Sequence, residues 1–148
     1  MSLELWANNA WLREHKTSVQ EVTNLLFLVE RDLSDSAMLE ISLDWRFNIV
    51  YNAGLQLATV VLYASGYRSG RGESKHSRVI QTIPHVLGNE FKAIRDYLDS
   101  CRRKRNISEY DAVGTISEKE VKDLTNIVKD FKAKVEKWLS LNHPDLIK

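Results

Sequence analysis

The chain has 148 residues with 21 Lys and Arg against 20 Asp and Glu, so its net charge of +1 gives no sign of a general polyanion-binding protein. A chain of this length buries about 70% of its unfolded surface and needs no metal or disulfide to hold a core. The single cysteine excludes an intramolecular disulfide, and six glycines with two prolines leave few turns and favour long helices.

The start of the chain lacks the basic residues and the apolar core of a signal peptide. The most apolar stretch, 49–64, is interrupted by polar side chains, which argues against a membrane span. We therefore predict a cytoplasmic protein without membrane contact. One domain is predicted over 1–148, with its core at about 18–140.

The first predicted helix begins after Ser18. Ser18 and Glu21 have the spacing of a capping box, in which the two side chains each accept a free backbone N–H. Apolar residues follow at alternating steps of three and four, as on one face of a helix: Val19, Val22, Leu26, Val29 and Leu33. This helix is predicted to end near 34–36.

The second helix is predicted from about Leu43 to Tyr67, with apolar side chains on nearly every side, which is typical of a central, buried helix. One face differs, because polar residues recur on it at spacings of four, four and three: Asn48, Asn52, Gln56 and Thr59. Buried amides need hydrogen-bond partners. We therefore expect this face to meet another polar element, a second copy of the chain or a ligand.

A glycine-containing loop is predicted for 68–74, followed by a shorter helix that Pro84 should kink and Gly88 should end. A fourth helix then carries its apolar residues on one face. Continuing that register by four residues from Cys101 places Arg105 on the core side of the helix.

The segment 107–116 is predicted as a loop, and Ser117 with Glu120 forms a second capping box. The last helix has the clearest apolar periodicity: Val121, Leu124, Val128, Phe131, Val135 and Trp138. No segment shows the period-two alternation of a strand. The predicted fold is therefore all-α, an antiparallel four-helix up-and-down bundle with an additional short helix and no sheet beyond incidental bridges.

Basic side chains gather in two clusters along the sequence. The first contains Arg68, Arg71, Lys75, His76 and Arg78, and the second contains Arg102, Arg103, Lys104 and Arg105. Both patterns indicate possible contact with phosphate groups. For the second cluster a structural role is an equally good interpretation, since cations at a helix end complement the helix dipole.

The familiar site signatures are missing from the sequence. There is no paired-cysteine metal pattern and no phosphate-binding loop. The four histidines, His15, His76, His85 and His143, are dispersed and have no carboxylate at ligand spacing. We therefore predict neither a metal nor another cofactor.

Several features, taken in order, resemble the HEPN family of small helical bundles, named for nucleotide binding in higher eukaryotes and prokaryotes. They are Arg46-Phe47-x-x-x-Tyr51-Asn52-Ala53 in the second helix, the Gly66-Tyr67-Arg68 turn before a helix bearing His76, Arg105-Asn106-x-x-x-Tyr110-Asp111, and a last helix capped by Ser-x-x-Glu that ends near Trp138. The resemblance spans roughly 18–139. It implies the same helical fold.

In that family an arginine is followed, after four to six residues, by a histidine, and two such motifs meet across a dimer to form a metal-free ribonuclease site. The resemblance assigns Arg105 to the arginine position and Asn106 to the polar position after it, whereas Tyr110 stands in place of the histidine. A tyrosine with a pKa near ~10 stays protonated at neutral pH, where a histidine exchanges protons. Tyr110 is therefore a poor general base, and His76 is the expected substitute if RNA is cleaved.

The resemblance thus implies a homodimeric RNA-, nucleotide- or protein-binding module of a toxin–antitoxin or defence system, without catalysis or weakly active. Two alternatives are a metal-independent ribonuclease toxin and a substrate-recruiting partner of a small nucleotidyltransferase; an antitoxin is another possible partner. The candidate catalytic residues are Arg105 and Tyr110, and the candidate binding residues are Arg105, Asn106, Arg68, Arg71, His76 and Asn52. A purely structural alternative gives Arg105 hydrogen bonds to loop carbonyls and to the Asn52 and Gln56 face.

Overall fold

The computed structural model describes residues 2–70, 75–110 and 115–147, with the backbone alone described for Lys75 and for 106–110. The helices are α1 (Leu3–Asn8), α2 (Val19–Ser36), α3 (Leu43–Ala64), α4 (Lys75–Gln81), α5 (Ile83–Leu87), α6 (Lys92–Tyr110) and α7 (Glu118–Asn142). Short 3-10 turns lie at Asn89–Phe91 and Pro144–Leu146, and two strands are β1 (Leu12–Glu14) and β2 (Tyr67–Ser69). Most of the described chain is helical, which confirms the predicted class in its coarse form.

The central element is α3, which packs against α2, α6, α7 and the short helices α4 and α5. Its buried side chains, such as Phe47 and Leu57, are almost completely withdrawn from solvent. The predicted stripe of α7 is also buried from Val121 to Val135, but it ends on Leu139. Trp138, predicted as the last core residue, is only half-buried and contacts the His143 ring.

Serine residues cap the N-termini of three long helices, α2, α3 and α7. The hydroxyls of Ser18, Ser42 and Ser117 accept the N–H of the third residue of each helix, which offsets the unpaired donors there. The full capping box is present at Ser117 with Glu120. At Ser18 the reciprocal half was predicted wrongly, because the Glu21 carboxylate instead accepts from Thr17 and bonds the His15 ring.

A two-stranded antiparallel ribbon corrects the expectation of an essentially sheet-free fold. It pairs Leu12 with Ser69, Arg13 with Arg68 and Glu14 with Tyr67. The predicted helix to Tyr67 stops at Ala64, since Gly66 adopts φ +93°, a left-handed conformation that turns the chain into β2. Strands of three residues are too short to show period-two alternation, so the sequence pattern could not reveal them.

Two further boundaries concern the short helices and α6. The predicted kink at Pro84 is a break at Thr82, with Pro84 in the first turn of α5, and Gly88 at φ +113° ends that helix as predicted. The loop predicted for 107–116 is wrong in its first part, because α6 continues to Tyr110. No glycine or proline occurs between Lys92 and Tyr110 to stop the helix.

By length and hydropathy α3 would pass as a membrane-crossing helix. However, 61% of its most apolar window is buried against the other elements of the structure. The core helix of a globular domain has these same properties, so α3 carries no membrane assignment.

Candidate functional site

The basic run at 102–105 on α6 is mostly occupied by ion pairs. The Nε of Arg102 lies 3.0 Å from Asp99 and an Nη of Arg103 lies 3.5 Å from the same carboxylate. Lys104 forms an ion pair with Glu120 of α7. These three cations therefore serve the helix and its packing, in agreement with the structural interpretation of the cluster.

Arg105 is different from the three cations before it. Its guanidinium carbon lies 5.6 Å from the centre of the Tyr51 ring on α3, a cation–π arrangement. Its Nε is buried and makes no hydrogen bond to any residue that the structure describes. The residue as a whole is half-buried. The core-facing register predicted for Arg105 is thus confirmed. Among the described residues Arg105 makes no hydrogen bond to Asn52 or Gln56, which was one part of the structural alternative.

Tyr51 is completely buried beneath this arginine, and its hydroxyl has no hydrogen-bond partner among the described residues. Burial raises the pKa of Tyr51 to about 12, although the positive charges of Arg105 and Arg102 act in the opposite direction. The phenol is therefore neutral at every physiological pH. It offers a hydrogen-bond donor and an aromatic face, but no base.

The polar face of α3 runs beside this contact. The side-chain carbonyl oxygens of Asn48 and Gln56 are buried and unbonded within the described chain, whereas Thr59 donates to the Leu55 carbonyl of its own helix at 2.9 Å. Trp45 begins the same face and is 63% exposed. Because each unbonded buried polar atom costs about 1–3 kcal/mol, this face carries groups that the monomer alone does not satisfy.

We call the group formed by Arg105, Tyr51 and Asn48, which lies one helical turn before Tyr51, the α3–α6 site. It combines a cation with an amide oxygen, a hydroxyl and an aromatic ring, which is the chemistry of anion and base recognition. It does not contain a nucleophile or a base. Nearby Cys101 is equally unsuited, because burial raises the pKa of its thiol to about 11.

The predicted site residues are distributed over several elements. Arg68 lies exposed on β2, His76 lies exposed in the first turn of α4, and Asn52 is half-buried on α3. No hydrogen bond joins Arg68 or Asn52 to Arg105 in the described part of the chain. Arg71 lies outside the described residues, as do the side chains of Asn106 and Tyr110.

The backbone of α6 determines how Arg105 and Tyr110 are placed relative to each other. Both residues belong to one continuous helix, and five helical steps rotate one Cα position about 140° from the other around the axis. Within one chain they therefore start from different sides of α6. Arg46, from the first family motif, is structural: its Nε donates to the Ser36 carbonyl at 2.7 Å and closes the end of α2.

A second polar constellation was missed by the sequence reasoning, which left His15 without a carboxylate. The His15 Nε2 lies 2.6 Å from the Glu21 carboxylate, which also accepts the Thr17 hydroxyl at 2.7 Å. The centre of the His15 ring lies 4.5 Å from that of Tyr63 on α3, with the two ring planes tilted by 48°. The signal available in the sequence is a histidine close to a capped helix start. The capping-box spacing, however, assigns the Glu21 carboxylate to the N–H of Ser18 and not to His15.

Among the residues that the structure describes, no three metal-ligating side chains form a group. In comparisons with protein-family models, curated proteins and solved structures, none matches this chain. The functional argument therefore depends on the chain's own residues and their contacts.

Proposed function

We propose that the chain is a HEPN-like antiparallel four-helix up-and-down bundle, built from α2, α3, α6 and α7, and that it is a homodimeric binding module for RNA, a nucleotide or a partner protein. In this proposal it belongs to a toxin–antitoxin or defence system and is catalytically inactive or weakly active. The observation that carries the proposal is Arg105, seated on Tyr51 with a buried Nε that no described residue accepts.

The polar face of α3 supports the dimer. Asn48, Gln56 and Arg105 are half-buried residues, and each has a buried polar atom without a described partner. A two-fold axis gives each chain the same patch of its partner, so side chains that turn toward that patch find reciprocal partners. The exposed Trp45 on the same face adds apolar area of the kind found at the centre of interfaces.

Binding without turnover is favoured by the chemistry of the groups present. With a pKa of about 12, Tyr51 stays protonated and cannot accept the proton of a ribose hydroxyl at neutral pH. His76, the expected substitute base, lies exposed on α4, a different element from the Arg105 helix. The two alternatives, a ribonuclease and a partner of a nucleotidyltransferase, come from the same family resemblance. No contact among the described residues favours either of them.

The dimer is tested by light scattering at micromolar concentration, where we expect twice the chain mass of 17.1 kDa. Binding is tested with RNA oligonucleotides and nucleotides against Arg105→Gln, which keeps a polar side chain but removes the cation. We expect affinity to fall about ten-fold or more, since a half-buried guanidinium contact is lost. Thermal stability should change little.

The matched control is Arg103→Gln, which makes the same charge change two residues earlier at a side chain that is 65% exposed. We expect it to retain the natural affinity. A monomer in solution, or equal losses for Arg103→Gln and Arg105→Gln, would leave Arg105 with a structural role only.

The ribonuclease alternative is separated by incubating RNA with the protein in the presence of a chelator. Under the proposal the natural chain cleaves little, and Tyr110→His raises cleavage by adding a base that titrates near neutrality. Rapid cleavage by the natural chain would favour the ribonuclease instead.

A further inference from the structure

The outward face of the β1–β2 ribbon carries a second pair of cations, separate from the α3–α6 site. Arg13 and Arg68 are directly opposite each other in the antiparallel register, and both are exposed. Opposite residues of a ribbon project from the same face. No described residue forms an ion pair or a hydrogen bond with either arginine. Two like charges at this spacing repel each other, so the pair disfavours folding unless an anion lies between them.

The ladder extends beyond the three strand pairs and brings an aromatic residue to the same face. Gly70 donates to the Trp11 carbonyl and His15 donates to the Gly66 carbonyl, both at 2.8 Å. These bonds set Trp11 opposite Gly70 and His15 opposite Gly66, and strand alternation assigns both residues to the Arg13 side of the ribbon. Trp11 is 38% exposed, and its ring makes an edge contact with buried Trp6, at 5.8 Å between ring centres.

Two glycines flank Arg68 on β2. A Cβ at Gly70 would overlap the Ala10 carbonyl oxygen, so only glycine lets β2 approach the segment before β1. Apart from its two chain neighbours, no described atom lies within 4 Å of the Cβ position of Gly66. The space beside Arg68 is therefore open toward Gly66, whereas the Ala10 backbone fills it at Gly70.

The acidic groups near the ribbon form no ion pair with Arg13 or Arg68 among the described residues. Glu14 belongs to the opposite face of the ribbon, where its register partner is Tyr67. The Glu21 carboxylate is held by His15 and Thr17. Its pKa is lowered, because those two hydrogen bonds and the charges of His15 and Arg68 outweigh the opposing effect of burial. Arg68 thus influences Glu21 at a distance but does not pair with it.

We propose that this face, defined by Trp11, Arg13 and Arg68, binds single-stranded nucleic acid. The two arginine forks hold one backbone phosphate, since guanidinium geometry matches phosphate oxygens bidentately. An unpaired base stacks on the exposed indole of Trp11, which a duplex cannot provide. The site is independent of Arg105 and extends the binding role to a different side of the molecule.

The test uses the full chain and fluorescein-labelled oligouridine of about 12 nucleotides, with a DNA oligonucleotide of equal length as a second arm. Fluorescence anisotropy is measured at low and at physiological salt. We expect Arg13→Gln and Arg68→Gln each to weaken binding at least about five-fold and to reduce the salt slope by about one unit. Trp11→Leu should weaken binding by a similar factor without changing the salt slope.

The controls separate this site from net charge and from the proposed function. Arg103→Gln removes the same charge on α6 and should bind as the natural chain does. Without ligand, Arg13→Gln should melt at the same temperature as the natural chain or higher, because it removes a like-charge pair.

Unchanged affinity in the Arg13→Gln, Arg68→Gln double variant overturns the inference, as does an equal loss in Arg103→Gln. So does a natural chain that binds neither strand. None of these results changes the outcome of the light-scattering test of the dimer. The proposed dimer and the proposed ribbon site can therefore be disproved independently. Impaired binding of RNA, DNA or both by the ribbon variants supports the inference and identifies which strand is preferred.

Discussion

The two sides of α3 show two different uses of burial. On one side Gly54 faces Leu98 of α6 and Val128 of α7 so closely that an added Cβ would lie 3.0 and 3.3 Å from their methyl groups. On the other side the side-chain carbonyl oxygens of Asn48 and Gln56 are buried and unbonded to any described residue. Apolar complementarity explains the first side. The second side costs stability in the monomer, and such groups are retained where they serve recognition.

The largest expected effect is on the packed side. Val128→Asp places a carboxylate at a position with no exposure to solvent. We expect the free energy of unfolding to fall by about 3–5 kcal/mol, a large part of the stability of a small domain. Urea denaturation measures this. Asn126→Asp makes the same charge change at an exposed position of α7 and should be near neutral; equal effects would show that the α7 stripe is not core.

A smaller effect is expected from Gly54→Ala at the closest point of this side. Alanine gains about 1 kcal/mol of helix propensity over glycine, while overpacking against buried Leu98 and Val128 costs about 1–3 kcal/mol. We expect a net loss of about 1 kcal/mol in a denaturation experiment. Combining Gly54→Ala with Val128→Ala should cost less than the sum of the two changes, since the second removes one of the two close contacts of the added methyl group. Strict additivity would contradict the close contact.

The opposite sign is expected at Tyr51, where α3 has a buried hydroxyl without a described partner. Tyr51→Phe removes a buried hydroxyl that has no described partner but keeps the ring beneath Arg105. We expect the monomer to gain up to about 1 kcal/mol, because an unsatisfied group disappears and the cation–π contact stays. A loss of more than that, measured by the same denaturation curve, would reveal that the Tyr51 hydroxyl is bonded in the folded protein.

The smallest expected effect concerns the His15–Glu21 pair, which joins the ribbon to α2. The folded-state pKa of Glu21 is lowered from 4.5, so the carboxylate contributes stability above that pH and loses it as the pH falls through the folded value. Glu21→Gln should therefore flatten the decline in melting temperature below about pH 4.5. Its side chain is 37% exposed, so solvent screening keeps the effect to a few tenths of a kcal/mol.

The control for that experiment is Glu40→Gln, which removes the same charge from an exposed position between α2 and α3. It should leave the acid limb as steep as in the natural chain. An identical flattening in both variants would show that the general charge balance, and not the His15 contact, governs acid stability.

Most of the helical framework was predictable from the sequence. Capping serines and three–four apolar spacing predicted the starts of α2 and α7 and the central burial of α3, because these signals act between residues within two helical turns. For the candidate site, the register from Cys101 correctly predicted that Arg105 faces the core. The functional interpretation as a HEPN-like module remains a prediction.

The contacts that only the tertiary structure determined join residues that are distant in sequence. The pairing of β1 with β2, which sets Arg13 opposite Arg68, joins two segments of three residues, each too short to carry a pattern of its own. Arg105 lies against the Tyr51 ring, a contact that its register alone could not predict, because helix packing determines which side chains meet. Local periodicity specifies which face of a helix is buried, whereas the partner across that face is chosen only when the helices pack.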